Sequence, residues 1–255
     1  MSSTMSLPAW ARPHWQPNDE EIVLQFYVFG SFEAVRVPSQ DYGSPGLPEG
    51  ITATNHHHHE LRAWEGYPLG GSMGKLFKEE APDAFRVAVD APQVMVVRGR
   101  LPDQPDTGYL RDVMGVIAGL LDIGGVAVLD PQIVSLFDAD GWRRRYLVRD
   151  GAPIRSHLLI LRDGEAEPDR SWIHTRGMRK FGRPDFSLRD VPDTQINLAG
   201  SLCERLVELE VLGGRFQDGQ QVEIPGLPED LTARLGGGPE HPDFNNSFVE
   251  FRWPV

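Results

Sequence analysis

The chain concentrates cationic side chains between Trp172 and Asp190, in the sequence WIHTRGMRKFGRPDFSLRD. The side chains of this segment that could bind a ligand or partner are His174, Arg176, Arg179, Lys180, Arg183 and Asp185. Arginine offers a planar fork of donors that fits carboxylate or phosphate, and Gly177 and Gly182 would let the backbone turn tightly. The segment predicts a small anion site or a docking ridge for an acidic partner. The third alternative is a turn whose cations pair with surrounding carboxylates.

Four consecutive histidines precede Glu60. On a strand, alternate residues share a face, so His57 and His59 could hold one metal ion. A catalytic zinc would need a third ligand, which Glu60, His157 or His174 would supply if the fold brought one near. The chain contains no H-E-x-x-H and no C-x-x-C, so no standard zinc motif accompanies the pair. Zinc is thus the one cofactor suggested, and a solvated loop without any cofactor is the alternative.

Other constellations predict no reaction. The stretch Trp142–Tyr146 combines aromatic residues with three arginines, but consecutive residues of a helix point in different directions, which disfavours nucleic-acid binding. Cys203 lies near the apolar face of a predicted helix, where a thiol behaves as a small hydrophobe. The chain has no G-x-S-x-G, P-loop or G-x-G-x-x-G. The motifs therefore favour a non-enzymatic protein.

Composition restricts the setting and the partners. The chain has 255 residues and a net charge of −12, which repels nucleic-acid phosphates and anionic lipid heads. Its single cysteine excludes an intrachain disulfide, as is usual in a reducing compartment. The longest apolar run, Val113–Leu121, is much shorter than the roughly 20 residues of a membrane span, and the N-terminus lacks a secretory pattern. We expect a cytoplasmic protein with no membrane partner.

The elements that must position these residues follow from hydrophobic periodicity. Predicted strands are Glu21–Gly30, Gln93–Leu101, Gly125–Asp130, Ser156–Arg162, Ser171–Arg176, Gln221–Ile224 and Ser247–Trp253. Predicted helices are Lys75–Asp90 with a break at Pro82, Asp106–Ile123, Asp140–Val148, Asp193–Leu212 and Glu229–Leu235. Gly115 and Gly119 predict close packing of the second helix against a sheet or another helix. Residues 39–74, rich in glycine and proline, are expected to form a long excursion.

The order of these elements predicts the fold class. Strands and helices mix without strict βαβ alternation, which indicates an α+β fold with a mixed, mostly antiparallel sheet packed by amphipathic helices. We expect residues 1–20 to be irregular. Residues 21–255 are expected to form a single α+β domain, with a point of sub-division near 102–106.

The segment from Thr175 to Asp185 also carries a resemblance. Its sequence, TRGMRKFGRPD, is similar to the pattern T-x-G-[ML]-x-x-F-G-x-P-[DE] of a family of uncharacterised bacterial proteins, and the similarity extends over roughly residues 106–225. Members of that family have no assigned activity, so the resemblance implies a bacterial cytoplasmic setting and transfers no role to any residue. Some such families are neighbours of toxin–immunity genes.

The sequence leads to two functional hypotheses. The first is a non-enzymatic protein that binds a protein partner, as an immunity-type inhibitor of a toxin would, since acidic inhibitors are steered onto basic partners. The second is an enzyme or ligand-binding protein for a phosphate- or carboxylate-bearing substrate, assisted by a metal at the histidines. In that hypothesis His174 is the acid or base, and the arginines of the segment hold the anion.

Overall fold

The computed structural model describes four stretches of the chain, residues 9–33, 36–148, 153–223 and 228–254. Contacts divide the chain into two compact units. Unit 1 is built mainly from Val23–Pro102 and Asp106–Pro153. Unit 2 is built mainly from Ala11–Ile22, Asp103–Pro105 and Ile154–Val255. Residues 103–105 thus belong to unit 2, and the chain returns to unit 1 at Asp106. This change of unit falls at the sub-division predicted near residues 102–106. The number of independent domains stays a prediction.

The strands and helices follow each other in mixed order. The strands are β1 (Glu21–Gly30), β2 (Ile51–His57), β3 (Gln93–Pro102), β4 (Gly125–Asp130), β5 (Ser135–Asp138), β6 (Leu159–Gly164), β7 (Arg170–Arg176), β8 (Asp185–Pro192), β9 (Arg234–Gly238) and β10 (Asn246–Arg252). The α-helices are α1 (His58–Arg62), α2 (Gly71–Glu80), α3 (Pro82–Asp90), α4 (Gly108–Asp122), α5 (Ala139–Tyr146) and α6 (Ile196–Val211). Within residues 9–20, no helix or strand forms, and residues 1–8 of that predicted irregular segment lie outside the described part.

Unit 1 contains a five-stranded sheet in the order β2-β3-β1-β4-β5. The pairs β2–β3, β1–β4 and β4–β5 are antiparallel. α4 is the most buried helix, with its apolar stripe at 5% exposure or less, because it is apolar on nearly all sides. A burial of this kind contributes about 1.5–3 kcal/mol per large apolar side chain.

The close approach predicted for the α4 glycines is confirmed, and a 3-10 helix forms part of the surface that α4 meets. A Cβ at Gly115 would lie 2.5 Å from the Cβ of Ser44, and one at Gly119 would lie 2.8 Å from a methyl carbon of Val37. The packing partner is thus the 3-10 helix Ser39–Tyr42 together with the residues beside it, and it is not a sheet. Part of the excursion predicted for residues 39–74 therefore lies in direct contact with α4.

Unit 2 contains a second five-stranded sheet in the order β6-β7-β8-β10-β9. β10 runs parallel to β8, and the pairs β6–β7, β7–β8 and β9–β10 are antiparallel. The amphipathic helix α6 packs on β7 and β8, and its inward residues Ala199, Leu202, Cys203 and Leu206 are buried. The predicted α+β class with mostly antiparallel pairing and amphipathic helices is confirmed.

Some element predictions were wrong. The short helix predicted over Glu229–Leu235 does not form, because Asp230 takes a left-handed φ of 70° and Arg234 begins strand β9. The excursion over residues 39–74 contains β2, which pairs with β3 along its whole length. The predicted strand Gln221–Ile224 is reduced to one isolated bridge from Gln221, and its last residue lies outside the described stretches. In the described residues, no helix has the length and apolar character to cross a membrane.

Candidate anion-binding site

The site is built on one face of β7, in unit 2. Successive side chains of a strand point to opposite faces, so Trp172, His174 and Arg176 share one face, whereas Ile173 and Thr175 lie on the other. Pairing with β6 on one side and β8 on the other fixes this strand. Ser171 to Thr175 are all buried, so both faces of the strand are packed, and the register with β8 shifts between Ser171 and Ile173. The strand therefore holds His174 and Arg176 side by side.

Aromatic rings form a wall beside these two residues. The Trp172 ring stacks on the His174 imidazole, with centroids 3.8 Å apart and planes 8° from parallel. Phe244 meets both rings edge-on, at 5.8 and 5.7 Å. The Arg189 guanidinium lies 3.8 Å from the Trp172 ring centroid, and the Trp172 Nε1–H donates to Ser187 Oγ at 2.9 Å. Stacking and cation–π contacts of this kind fix the ring orientations.

The His174 imidazole is buried, and only one of its two ring nitrogens has a hydrogen-bond partner among the described residues. Its Nε2 lies 2.9 Å from Asp163 Oδ2, while Nδ1 is buried and has no hydrogen-bond partner among the residues that the structure describes. Burial lowers the pKa of His174, and the charges of Arg176 and Arg189 lower it further, which outweighs the opposing effect of Asp163. The imidazole is neutral at neutral pH. With Nε2–H donating to the carboxylate, Nδ1 presents a lone pair.

Arg176 ends β7 and is only partly exposed. Within the described stretches its guanidinium makes no hydrogen bond and no ion pair, and its Nε is buried without a partner. Its charge lowers the pKa values of both His174 and Asp185, so it lies near both groups. A buried donor left without a partner costs about 1–3 kcal/mol, which a bound acceptor would recover.

Asp185 begins β8 and is anchored in place. Its Oδ1 accepts hydrogen bonds from Thr175 Oγ1 at 3.0 Å and from the Met178 backbone N–H at 3.3 Å. Its Oδ2 accepts one from Asn246 Nδ2 at 2.8 Å. Burial raises the pKa of Asp185 to about 6, against the lowering effect of these bonds and of Arg176. This carboxyl therefore ties together the ends of three strands beside Arg176.

The turn from β7 to β8 depends on two glycines. Gly177 has a φ of 109° and Gly182 a φ of 61°, and these left-handed values bracket the 3-10 helix Met178–Phe181. β7 ends at Arg176, and the chain turns back within this helix. The later cations of the segment, Arg179, Lys180 and Arg183, therefore do not lie on the face of β7 that carries His174 and Arg176. Arg179 lies partly exposed on the turn.

Lys180 and Arg183 enter the interior of unit 2. The Lys180 Nζ donates to the His157 carbonyl oxygen at 3.0 Å, and its side chain is fully buried. The Arg183 Nη1 lies 2.8 Å from Asp103 Oδ2, and Arg12 pairs with the other oxygen of the same carboxylate. The predicted cluster is therefore divided: His174, Arg176 and Asp185 come together, whereas Lys180 and Arg183 have internal partners. Ligand binding by the latter two stays a prediction.

The histidine pair occupies a junction between two elements. β2 ends at His57 and α1 begins at His58, so His57 and His59 do not alternate along one strand, and their ring centroids are 5.7 Å apart. His58 is buried, with its ring nitrogens 2.6 Å from the Ala91 carbonyl oxygen and from the Tyr67 hydroxyl. In the stretches that the structure describes, no group of three or more His, Cys, Asp or Glu could hold a metal ion. Zinc binding by the pair stays a prediction.

Sequence reasoning missed several residues of the site. Asp163 and Phe244 come from β6 and the β9–β10 loop, outside the segment Trp172–Asp190, whereas Ser187 lies within that segment but was not named as a site residue. Arg12, the second partner of Asp103, lies in a segment predicted to be irregular. The usable signal was the strand prediction over Ser171–Arg176, because residues two apart on a strand share a face, which places Trp172, His174 and Arg176 together.

Comparison with known proteins adds no assignment. No family model, no curated protein and no solved structure matches the chain. The resemblance of TRGMRKFGRPD to the uncharacterised bacterial family stays a prediction.

Proposed function

We propose that the protein binds a small anionic ligand, carrying a phosphate or carboxylate group, at Arg176. The observation that carries the proposal is the state of Arg176: among the described residues its guanidinium has no hydrogen bond or ion pair, although its Nε is buried. Arginines at structural positions are normally paired, as Arg183 is with Asp103. An anion at Arg176 would complete its donor set with charge-assisted bonds.

The surroundings of Arg176 suit such a ligand. Partial burial reduces solvent screening, so one guanidinium contact contributes more than it would on an open surface. His174 Nδ1 adds an acceptor that a hydroxyl of the same ligand would satisfy. Trp172 and Phe244 supply an apolar wall. We assign no reaction, since a neutral base beside an anion site is compatible with binding alone.

Binding of a protein partner is the second candidate, and the charge of unit 2 favours it. Unit 2 has 21 acidic and 13 basic residues; three of each kind are buried, which leaves 18 acidic and 10 basic residues that are not. Its outward side chains are therefore strongly acidic, which would steer it onto a basic partner. The immunity-type inhibitor remains a form of this candidate. A pull-down from the native host tests it, with the charge-reversed variant Glu167→Lys/Asp169→Lys as the control.

Thermal unfolding with added anions tests the proposed function. We expect inorganic phosphate or a short dicarboxylate, but not chloride at equal ionic strength, to stabilise the protein saturably, by about 1.4 kcal/mol at ten times the Kd. Arg176→Gln should abolish this stabilisation. The matched control Arg86→Gln removes an exposed arginine in unit 1, whose side chain is 68% exposed, and should retain it.

Two outcomes would contradict the proposal. One is the absence of any anion-specific stabilisation of the unchanged chain up to high millimolar concentration. The other is an equal response of Arg176→Gln and Arg86→Gln, since the anion would then act elsewhere. Comparing phosphate with the dicarboxylate identifies which of the two anionic groups the site prefers.

A further inference from the structure

A cleft opens on unit 2 beside the C-terminal end of α6. Its volume is about 550 Å³, within the roughly 300–1,000 Å³ that is usual for small-molecule sites. The residues that line it come from the N-terminal segment, from the chain that follows α6 and from β9, and all of them belong to unit 2. The described residues that line the cleft do not include His174 or Arg176, so the cleft is distinct from the proposed anion site.

Hydrogen bonds hold the walls of the cleft in place. The His14 backbone N–H donates to the Leu212 carbonyl oxygen at 3.0 Å, which fixes the N-terminal segment against the end of α6. The Leu235 backbone N–H donates to Asp218 Oδ1 at 3.0 Å, which fixes the chain after α6 against β9. The cleft is therefore formed by the fold itself.

Arg215 and Asp218 bring opposite charges to this cleft. The Arg215 guanidinium makes no hydrogen bond among the described residues, and the Glu20 carboxylate that pairs with it lies at 3.9 Å, beyond hydrogen-bond distance. Asp218 uses Oδ1 for the Leu235 backbone, whereas Oδ2 lies 3.9 Å from Arg234 and accepts no hydrogen bond from a described residue. The cleft thus offers one cationic donor and one anionic acceptor that the protein leaves without hydrogen bonds.

Apolar side chains lie in the same cleft. Leu235, on β9, is 49% exposed. Phe216 is buried, and edge-on contacts with Phe186 and Phe251, at 5.9 and 5.7 Å, anchor its ring in unit 2. An apolar group bound in the cleft would remove the exposed part of Leu235 from water, which is favourable.

We propose that the cleft binds a free amino acid with an apolar side chain. Its α-carboxylate pairs with Arg215, its α-ammonium group pairs with Asp218, and its side chain covers Leu235. Arg215 and Asp218 are three residues apart, so their Cα atoms are separated by at most about 11 Å, and one small ligand reaches both side chains.

Charge selects this class of ligand. A simple anion or a simple cation would pair with only one of the two charged side chains, whereas a zwitterion pairs with both. An amino acid also has no net charge. The excess of 18 acidic over 10 basic unburied residues in unit 2 therefore does not oppose its approach.

Calorimetric titration with three matched probes tests the class of ligand. The titrations use Arg176→Gln, so that carboxylate binding at the proposed anion site does not contribute. L-Leucine carries both charges, 4-methylpentanoate lacks the ammonium group, and 3-methylbutylamine lacks the carboxylate. We expect L-leucine to bind saturably and each of the other two to bind at least tenfold more weakly, because each leaves one charged side chain without its partner. Equal binding of L-leucine and either analogue would overturn the proposal, as would no binding of L-leucine up to high millimolar concentration.

Single substitutions in the unchanged chain test the location. Arg215→Gln and Asp218→Asn should each raise the Kd of L-leucine at least tenfold, and the asparagine keeps an oxygen for the Leu235 N–H, so the wall stays in place. Arg205→Gln, at an exposed position of α6, is the matched control and should leave the Kd unchanged. L-Leucine that binds the unchanged chain but not Arg176→Gln, or that binds Arg215→Gln and Arg205→Gln equally, does not bind in the cleft, and either result refutes the proposal.

Discussion

At the scale of single residues, the cations of the segment differ in their partners. Arg183 and Arg12 share the carboxylate of Asp103 inside unit 2. Burial alone would raise the pKa of Asp103, but bonds from Asn18 and Arg183 and the two nearby charges hold it below its usual value. Arg176 has no such partner among the described residues. Removing one member of a buried pair typically costs about 3–5 kcal/mol, so these pairs belong to the framework of unit 2.

Glu210 gives a prediction at the same scale. Burial raises its pKa to about 8, despite the nearby charges of Arg183 and Arg215. A carboxyl whose pKa is raised by folding stabilises the fold at low pH and loses that contribution as pH rises from about 4.5 to 8. We expect Glu210→Gln, which cannot ionise, to gain about 4 kcal/mol relative to the unchanged chain across that range. Urea unfolding at pH 5, 7 and 8.5 measures this gap. A gap that stays constant with pH would show that Glu210 is already ionised in the fold.

At the scale of elements, the sequence predicted those with strong periodicity. β1 and β4 have the predicted bounds, and α4 and α6 differ from prediction by a few residues at their ends. β2 was missed because ITATNHH is polar on both faces, so it lacks the alternation that marks a half-buried strand. β9 was missed because glycine-rich chain resembles a loop, and only pairing with β10 makes it a strand.

The candidate site, like the elements, could be predicted from the sequence only in part. The sequence placed His174, Arg176 and Asp185 in one segment, and β7 and β8 hold them together. The burial of Lys180 and Arg183 could not be predicted, because it depends on His157 and Asp103, which are distant in sequence. A local sequence pattern predicts which face of an element a residue occupies. It does not predict which residue distant in sequence will be the hydrogen-bond or ion-pair partner of that side chain.

The glycine in the middle of α4 gives a prediction at the scale of elements. An added Cβ at Gly115 would lie 2.5 Å from Ser44 Cβ, an atom that cannot move without its backbone. We expect Gly115→Ala to destabilise the protein by about 1–3 kcal/mol through overpacking, despite its better helix propensity. In α6, a Cβ at Gly200 meets nothing within 4 Å. Gly200→Ala should therefore stabilise by about 0.5–1 kcal/mol. Thermal unfolding of both variants measures the contrast, and a stabilising Gly115→Ala would refute the close packing.

At the scale of the whole molecule, the net charge of −12 is unevenly distributed. Unit 1 has 16 acidic and 12 basic residues, whereas unit 2 has 21 and 13. The proposed anion site thus lies in the more acidic unit, where distant carboxylates repel an incoming anion. At about 0.15 M salt the screening length is roughly 8 Å, so contacts within the site decide the affinity. Binding experiments should be made at that ionic strength.

The measurement that tests the central claim most directly observes Arg176 itself. In the ¹H–¹⁵N spectrum of arginine side chains, the Nε–H signal of Arg176 is identified by its loss in Arg176→Lys. Titration with inorganic phosphate should shift that signal saturably and leave the Nε–H signals of the buried Arg12 and Arg183 in place. An Arg176 signal that does not move, while phosphate is present at high millimolar concentration, would contradict the assignment of Arg176 as the anion-binding residue.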